Sequence, residues 1–323
     1  MRRLPLPARV LTSLAVLLAA LGGCDRPKSL AAGGADATEA PAGPRLDLSA
    51  RPPILFQVFG EREDPRMIPI AAVVDGRLQK IELDAAGWRA FDATYMRAPK
   101  TVAVYQDGER IGDATVRQGM WEKGGEPLYT LPACDLLTPL AAVSLGDGIK
   151  ASFTVELLAS TADIPERKGG STMPAAQAEQ AAREVAYGVG ARSSIPHGAL
   201  DSLDFRAVAI NTGATPHPTL IASFIDANAG GTSGNARHVF VIADRVGDRY
   251  AGTFSHSVNG PASSAMYRRY VDHLDVTGDG IDEIILEGWQ AGGDTYLLAL
   301  GYRDGQWTEV YRGRSSWCLD RKR

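Results

Sequence analysis

Little in this sequence is equipped for chemistry. Only three cysteines and five histidines occur in 323 residues. No CxxC pair is present, which excludes a thioredoxin-like centre. His197, His217, His238, His256 and His273 lie seventeen or more residues apart, so none forms a zinc pair at short spacing, and HExxH is absent. There is no GxSxG elbow and no P-loop. "GVGARS" (188–193) comes near GxGxxG, but it follows a helical pattern where a dinucleotide site needs a strand. Ser, His and Asp are plentiful enough for a triad built from distant residues, yet no local pattern points to one. Positive charge is also short: 34 Lys and Arg face 38 Asp and Glu, a net charge of −4. That argues against electrostatic binding to nucleic acid or anionic lipid.

What the chain does have begins at its first residues. "MRRLPLPAR" carries Arg2, Arg3 and Arg9 and no acid, and "VLTSLAVLLAAL" (10–21) is a short apolar run. Gly22, Gly23 and Cys24 follow. A basic start, an apolar stretch of this length and small residues make a secretory signal. The run is too short to span a bilayer comfortably. "LGGC" resembles the lipobox of bacterial lipoproteins, which implies a signal peptide at 1–23 and a lipidated Cys24 carrying acyl chains such as palmitate. The implied address is the cell envelope, anchored in a membrane on its periplasmic side. By the same resemblance, Asp25 favours the inner membrane. Without the three arginines the balance is 31 basic to 38 acidic residues, near −7, so attachment would be hydrophobic. Cys134 and Cys318 then remain. In an oxidising compartment they can form a disulfide or stay as two free thiols.

Residues 24–51 are rich in Ala, Gly and Pro and poor in large apolar residues, the composition of a disordered tether. From Ile54 the pattern becomes β. Asp75-Gly76, Asp107-Gly108 and Asp147-Gly148 each lie between apolar runs, as two-residue hairpin turns require. They predict an antiparallel β domain over 52–162, with "DAAGWRAFDATYM" as a short helix or long loop. A linker and helix occupy 163–195: Ser171 or Thr172 caps, Pro174 suits the first turn, and Gly188 or Gly190 ends it. A second β domain covers 196–323, making the fold mainly β with one connecting helix.

That second domain repeats itself. "NTGATPHPTLIASF" from Asn211 aligns without gaps on "DVTGDGIDEIILEG" from Asp275, and 239–254 matches 296–311. Each unit reads as polar loop, buried strand, variable loop, hairpin, with turns at Gly247-Asp248 and Asp304-Gly305. In the second loop Asp275, Asp279 and Glu283 offer carboxylates, Thr277 a hydroxyl and Ile281 a backbone carbonyl, all at odd positions. Calcium takes six to eight such oxygens, and Gly280 permits the sharp turn. Leu286 stands where an EF-hand needs a bidentate Glu. The stretch resembles the calcium loops of FG-GAP and VCBS repeats, the integrin-type propeller blades, in Asp275, Gly278, Asp279, Gly280 and Glu283; Thr277 departs from the pattern. The resemblance implies two blade-like units and one calcium ion. Asn211, Thr215 and Thr219 have no carboxylates, so the first loop is expected to bind nothing. An Asx-type turn without an ion is the alternative for the second.

Trp289, Trp307, Trp317, Tyr302 and Tyr311 crowd the last forty residues, and most are expected in the core rather than on a glycan platform. Two functions stay open. One is a non-catalytic binding or scaffold module whose partner is an envelope protein or glycan. The other is an envelope hydrolase or carbohydrate-acting enzyme, which a cluster of acids and His in one cleft would favour.

Overall fold

A computed structural model describes residues 46–121, 139–150, 152–167, 170–226, 229, 231–290 and 295–313. Seven strands come first: β1 (Ile54–Glu61), β2 (Arg66–Val74), β3 (Arg77–Gln79), β4 (Thr101–Gln106), β5 (Glu109–Gln118), β6 (Ala141–Leu145) and β7 (Thr154–Ser160). They pair antiparallel in the order β1-β7-β4-β5-β6-β2-β3, and β1 also pairs with β2. Six strands thus close into a barrel, with β3 appended to β2. Closure removes the free edges that an open sheet would expose.

Two of the three expected hairpins form. Asp75-Gly76 and Asp107-Gly108 hold positive φ at both residues, as a type I′ turn demands. Asp147-Gly148 does not join neighbours, because β6 pairs with β5 and β2 while β7 pairs with β1 and β4. "DAAGWRAFDATYM" is helical. Asp84 caps α1 (Ala85–Phe91), which continues as a π turn over Asp92–Met96. Trp88, Phe91, Tyr95 and Met96 join the barrel's own core.

The long helix is α2 (Ala175–Arg192), capped at Pro174 rather than at Ser171 or Thr172. It runs through Gly188 and Gly190 instead of ending there. A Cβ on Gly190 would stand 2.5 Å from Leu200 Cδ1, so this glycine admits the short helix α3 (His197–Leu200). The one expected connecting helix is therefore joined by α1 and α3.

Two four-stranded antiparallel sheets follow. The first is β8 (Asp204–Ile210), β9 (Thr219–Ile225), β10 (Asn235–Val246) and β11 (Arg249–Pro261). The second is β12 (Met266–Leu274), β13 (Glu283–Gln290), β14 (Thr295–Arg303) and β15 (Gln306–Arg312). Each is a meander in chain order. The internal repeat is visible: Thr219 opens β9 as Glu283 opens β13. Each unit also has a strand before its polar loop, β8 and β12, which the sequence repeat did not include. Asp304-Gly305 turns with both φ positive, and Gly247 alone is positive at Gly247-Asp248.

The two sheets stack face to face, and the second also stacks on the barrel. Alternation within each strand decides this, because successive side chains face opposite ways. On β9 and β10, Leu220, Phe224, Val239 and Val241 face α2, whereas Ile221, Phe240 and Ile242 face the second sheet. On β13 and β14, Ile284, Leu286 and Leu298 meet the first sheet, whereas Ile285, Leu297 and Ala299 meet the barrel. On the barrel, Phe56, Val104 and Leu157 point inward, whereas Leu55, Tyr105 and Leu158 point to the second sheet. The result is helix, sheet, sheet and barrel in four layers. Arg269 of β12 bonds Glu156 of the barrel at 2.7 Å and also pairs with Glu287.

Candidate functional site

The acidic loop between β12 and β13 sits where these layers meet. Asp275 is its pivot: Oδ1 accepts from Gly278 N (2.8 Å) and Asp279 N (3.1 Å), and Oδ2 accepts from Gly280 N (3.0 Å). Gly278 and Gly280 take positive φ, which lets consecutive N–H groups converge on one carboxylate. Asp279 Oδ1 accepts from Ile281 N at 2.9 Å. Glu283 turns inward. Its carboxylate accepts from Val276 N, Thr277 N and Thr277 Oγ1 at 2.8–3.2 Å. Burial pushes its pKa up to about 7 despite the Thr277 bonds.

The loop is tied to three other parts of the chain. Asp282 N donates to Thr212 O of the first repeat loop at 2.8 Å. Thr277 O lies against Gly76 of the β2–β3 turn, 3.3 Å from where a Cβ would stand. Arg167, from the linker, donates to both Gly280 O and Asp282 Oδ1 at 2.7 Å. Burial raises the Asp282 pKa, and Arg167 opposes it.

Beside the loop opens a cleft of about 500 Å³, lined by Asp107, Glu109, Arg167, Asn211, His273 and Asp282, with Val208–Ile210 as its apolar side. The β4–β5 turn forms one wall. Gly108 N donates to Asp272 Oδ1 at 3.1 Å, and a Cβ on Gly108 would come within 2.7 Å of His273 Nε2. Tyr270 Oη bonds His273 Nδ1 at 2.7 Å. Burial lowers the His273 pKa to about 4, helped by Arg167, and raises Asp272 to about 7. His273 is thus a neutral ring near pH 7, and its 3.8 Å approach to Asp282 Oδ2 is not an ion pair.

Of the five expected metal ligands, Asp275, Thr277, Asp279 and Ile281 lie in this loop and Glu283 opens β13. Asp279 is exposed and its Oδ2 accepts no hydrogen bond; Glu283 is spent on loop N–H groups. Among the described residues, no group of three or more His, Cys, Asp or Glu is arranged to hold a metal ion. Cys24, Cys134 and Cys318 lie outside the described residues, as does Trp317. Trp307 is buried and donates to Asp244 Oδ2 at 2.8 Å, and Tyr311 donates to Ile70 O. Trp289 stacks on Tyr267.

Arg167 and Asp272 are not singled out in the sequence, His273 falls with the other scattered histidines, and Asp107 reads only as a turn residue. His273 stands two residues before Asp275 and could have been noticed for that. Nothing local connects Arg167 or Asp107 to the loop. Comparison of the chain with known protein families, with curated proteins and with solved structures finds no match in any of the three.

Proposed function

We propose that this is a lipid-anchored protein of the bacterial cell envelope, held on the periplasmic side through Cys24, and that it serves as a non-catalytic binding or scaffold module. One observation carries the non-catalytic part. The acidic loop is a junction, touching the barrel turn at Gly76, the first repeat at Thr212 and the linker at Arg167. Such a position suits holding layers together better than turning over a substrate. The two sheets are read as blade-like units stacked in pairs rather than closed into a propeller.

In this reading a calcium ion binds from the solvent side through Asp275, Asp279 and the Ile281 carbonyl. Thr277 and Glu283 hold the loop in shape beneath it. Such a site is weak, about 10⁻⁴–10⁻³ M, as in extracellular modules. Calcium is expected to raise the melting temperature of residues 44–323, and Asp279→Asn to remove the rise. No shift at about millimolar calcium would sink the metal claim. The anchor has its own test: the full chain should take up a palmitate analogue in cells, and Cys24→Ser should not.

An envelope hydrolase or glycan-acting enzyme is the second reading, favoured by His273 and Asp282 meeting in the cleft with Asp107 and Glu109, and by Asp272 next to His273. It ranks second because Asp282 is tied to Arg167 and no Ser, Thr or Cys lines the cavity among the described residues for acyl chemistry, which leaves only the exposed Asp107 and Glu109 as free carboxylates for glycan chemistry.

A further inference from the structure

The cleft has a feature that neither a catalytic site nor a calcium loop requires. Val208, Ala209, Ile210 and Asn211 line it in unbroken succession. Alternate side chains of a strand point to opposite faces. Three consecutive residues at the end of β8, with Asn211 just beyond it, on one cavity therefore mean that the strand presents its edge, not a face. Among the described residues β8 is the outermost strand of its sheet and pairs only with β9. Its outer backbone groups consequently look into the cleft, where they can take a further strand.

The β4–β5 turn that also lines the cleft is acidic. Asp107 and Glu109 are both exposed, and neither has a cationic partner among the described residues. Arg167 does not compensate them, because it is bound to Asp282 and Gly280 O. His273, also in the lining, is 5% exposed, and its Nε2 makes no hydrogen bond among the described residues. The cleft thus offers a strand edge for backbone pairing and two acids with no cationic partner among the described residues.

We propose that the cleft binds an extended peptide segment bearing a lysine or arginine side chain, added as a strand to the free edge of β8 with its cation between Asp107 and Glu109. Backbone pairing provides the affinity and the acids select the side chain. The inference rests on the binding-module reading and names its partner class.

The test uses the purified full chain and a fluorescein-labelled hexapeptide alternating valine and lysine. Saturable binding is expected in fluorescence anisotropy. The Asp107→Asn, Glu109→Gln double variant should weaken it by about tenfold. Asn tolerates the left-handed backbone of position 107, and circular dichroism checks that the variant folds. A glutamate version of the peptide, and a lysine version N-methylated on alternate amides, should both fail to bind. Absence of saturable binding would overturn the proposal. So would equal binding by the N-methylated peptide, which would make the cleft a simple amine site, or unchanged affinity in the double variant. Mass spectrometry of the recovered peptide separates the two levels of the reading. Cleaved peptide ends the non-catalytic reading while leaving the cleft as its binding place; intact peptide with no binding ends only the present inference.

Discussion

His238 shows how a single residue can join two layers. It is fully buried, its Nδ1–H donates to Phe224 O at 2.8 Å, and its Nε2 accepts from Arg268 N at 3.1 Å. The ring therefore links a β9 carbonyl to a β12 amide and must stay neutral, with its pKa pushed down to about 3 by burial. A histidine depressed in the folded state contributes stability above its unfolded pKa and loses it as pH falls. Acidification from about 6.5 toward 3 is thus unfavourable at this residue. Asp272 works in the opposite sense. Burial raises it from 3.8 to about 7, so the folded chain keeps a proton that the unfolded chain has lost, and its contribution falls as pH rises through that window. Asp272→Asn removes this term while keeping an acceptor for Gly108 N. From pH 5 to pH 8 the variant should gain about 2–3 kcal/mol relative to the unaltered chain, read from urea midpoints. A difference independent of pH would refute the assignment. Gly108 offers a second test. Its φ of +76° and the nearness of His273 Nε2 make Gly108→Ala costly by about 1–3 kcal/mol. Gly148→Ala, with normal φ and open space around it, should be close to neutral.

Among the elements, α2 separates propensity from packing. The run of Ala, Glu and Gln made it legible as a helix, but its end was misplaced because glycine commonly stops helices. Here Gly188 and Gly190 are interior, and they have different reasons to be there. Nothing but the flexible end of Arg192 lies near Gly188, at 3.8 Å, whereas Leu200 lies 2.5 Å from a Cβ on Gly190. Gly188→Ala should therefore stabilise the protein by up to about 1 kcal/mol through helix propensity. Gly190→Ala should destabilise it by about 1–3 kcal/mol through overpacking. Thermal melting of both variants decides, and equal effects would contradict the packing role. The hairpins were equally local: Asp-Gly and Gly-Asp turns named the correct strand pairs at 75–76, 107–108, 247–248 and 304–305. Asp147-Gly148 failed because its flanking strands find non-local partners in the closed barrel, and no turn dipeptide encodes closure. The acidic loop was legible for the same reason as the hairpins, since its residues are contiguous. The cleft was not, because Asp107, Arg167, Asn211 and His273 come from four separate segments.

At the scale of the whole molecule, the strands that read as nearly continuous apolar runs are the ones buried on both faces. "EIILEG" sends Ile284 and Leu286 to one core and Ile285 to another. Such a run announces a central layer, yet it does not say that the first sheet covers one side and the barrel the other. The stack has a thermodynamic consequence. The barrel face carrying Leu55, Tyr105 and Leu158 is sealed by Leu274, Ile285, Leu297 and Tyr311, and the two sheets share Phe240, Ile242, Leu298 and Trp307. No layer can unfold alone without exposing an apolar face to water, which costs roughly 25 cal/mol for each Å² uncovered. The described residues, 46 to 313, belong to one compact unit, and they should unfold in a single cooperative transition. Trp88 reports on the barrel core and Trp307 on the interface of the sheets, since both are buried in different clusters. Single-tryptophan variants retaining one or the other should give coincident urea midpoints. Leu158→Ala, at the barrel–sheet interface, should lower both midpoints together, by about 2–5 kcal/mol in stability. Separate transitions at Trp88 and Trp307, or a Leu158→Ala effect confined to Trp88, would show that the barrel is an independent domain merely resting on the sheets.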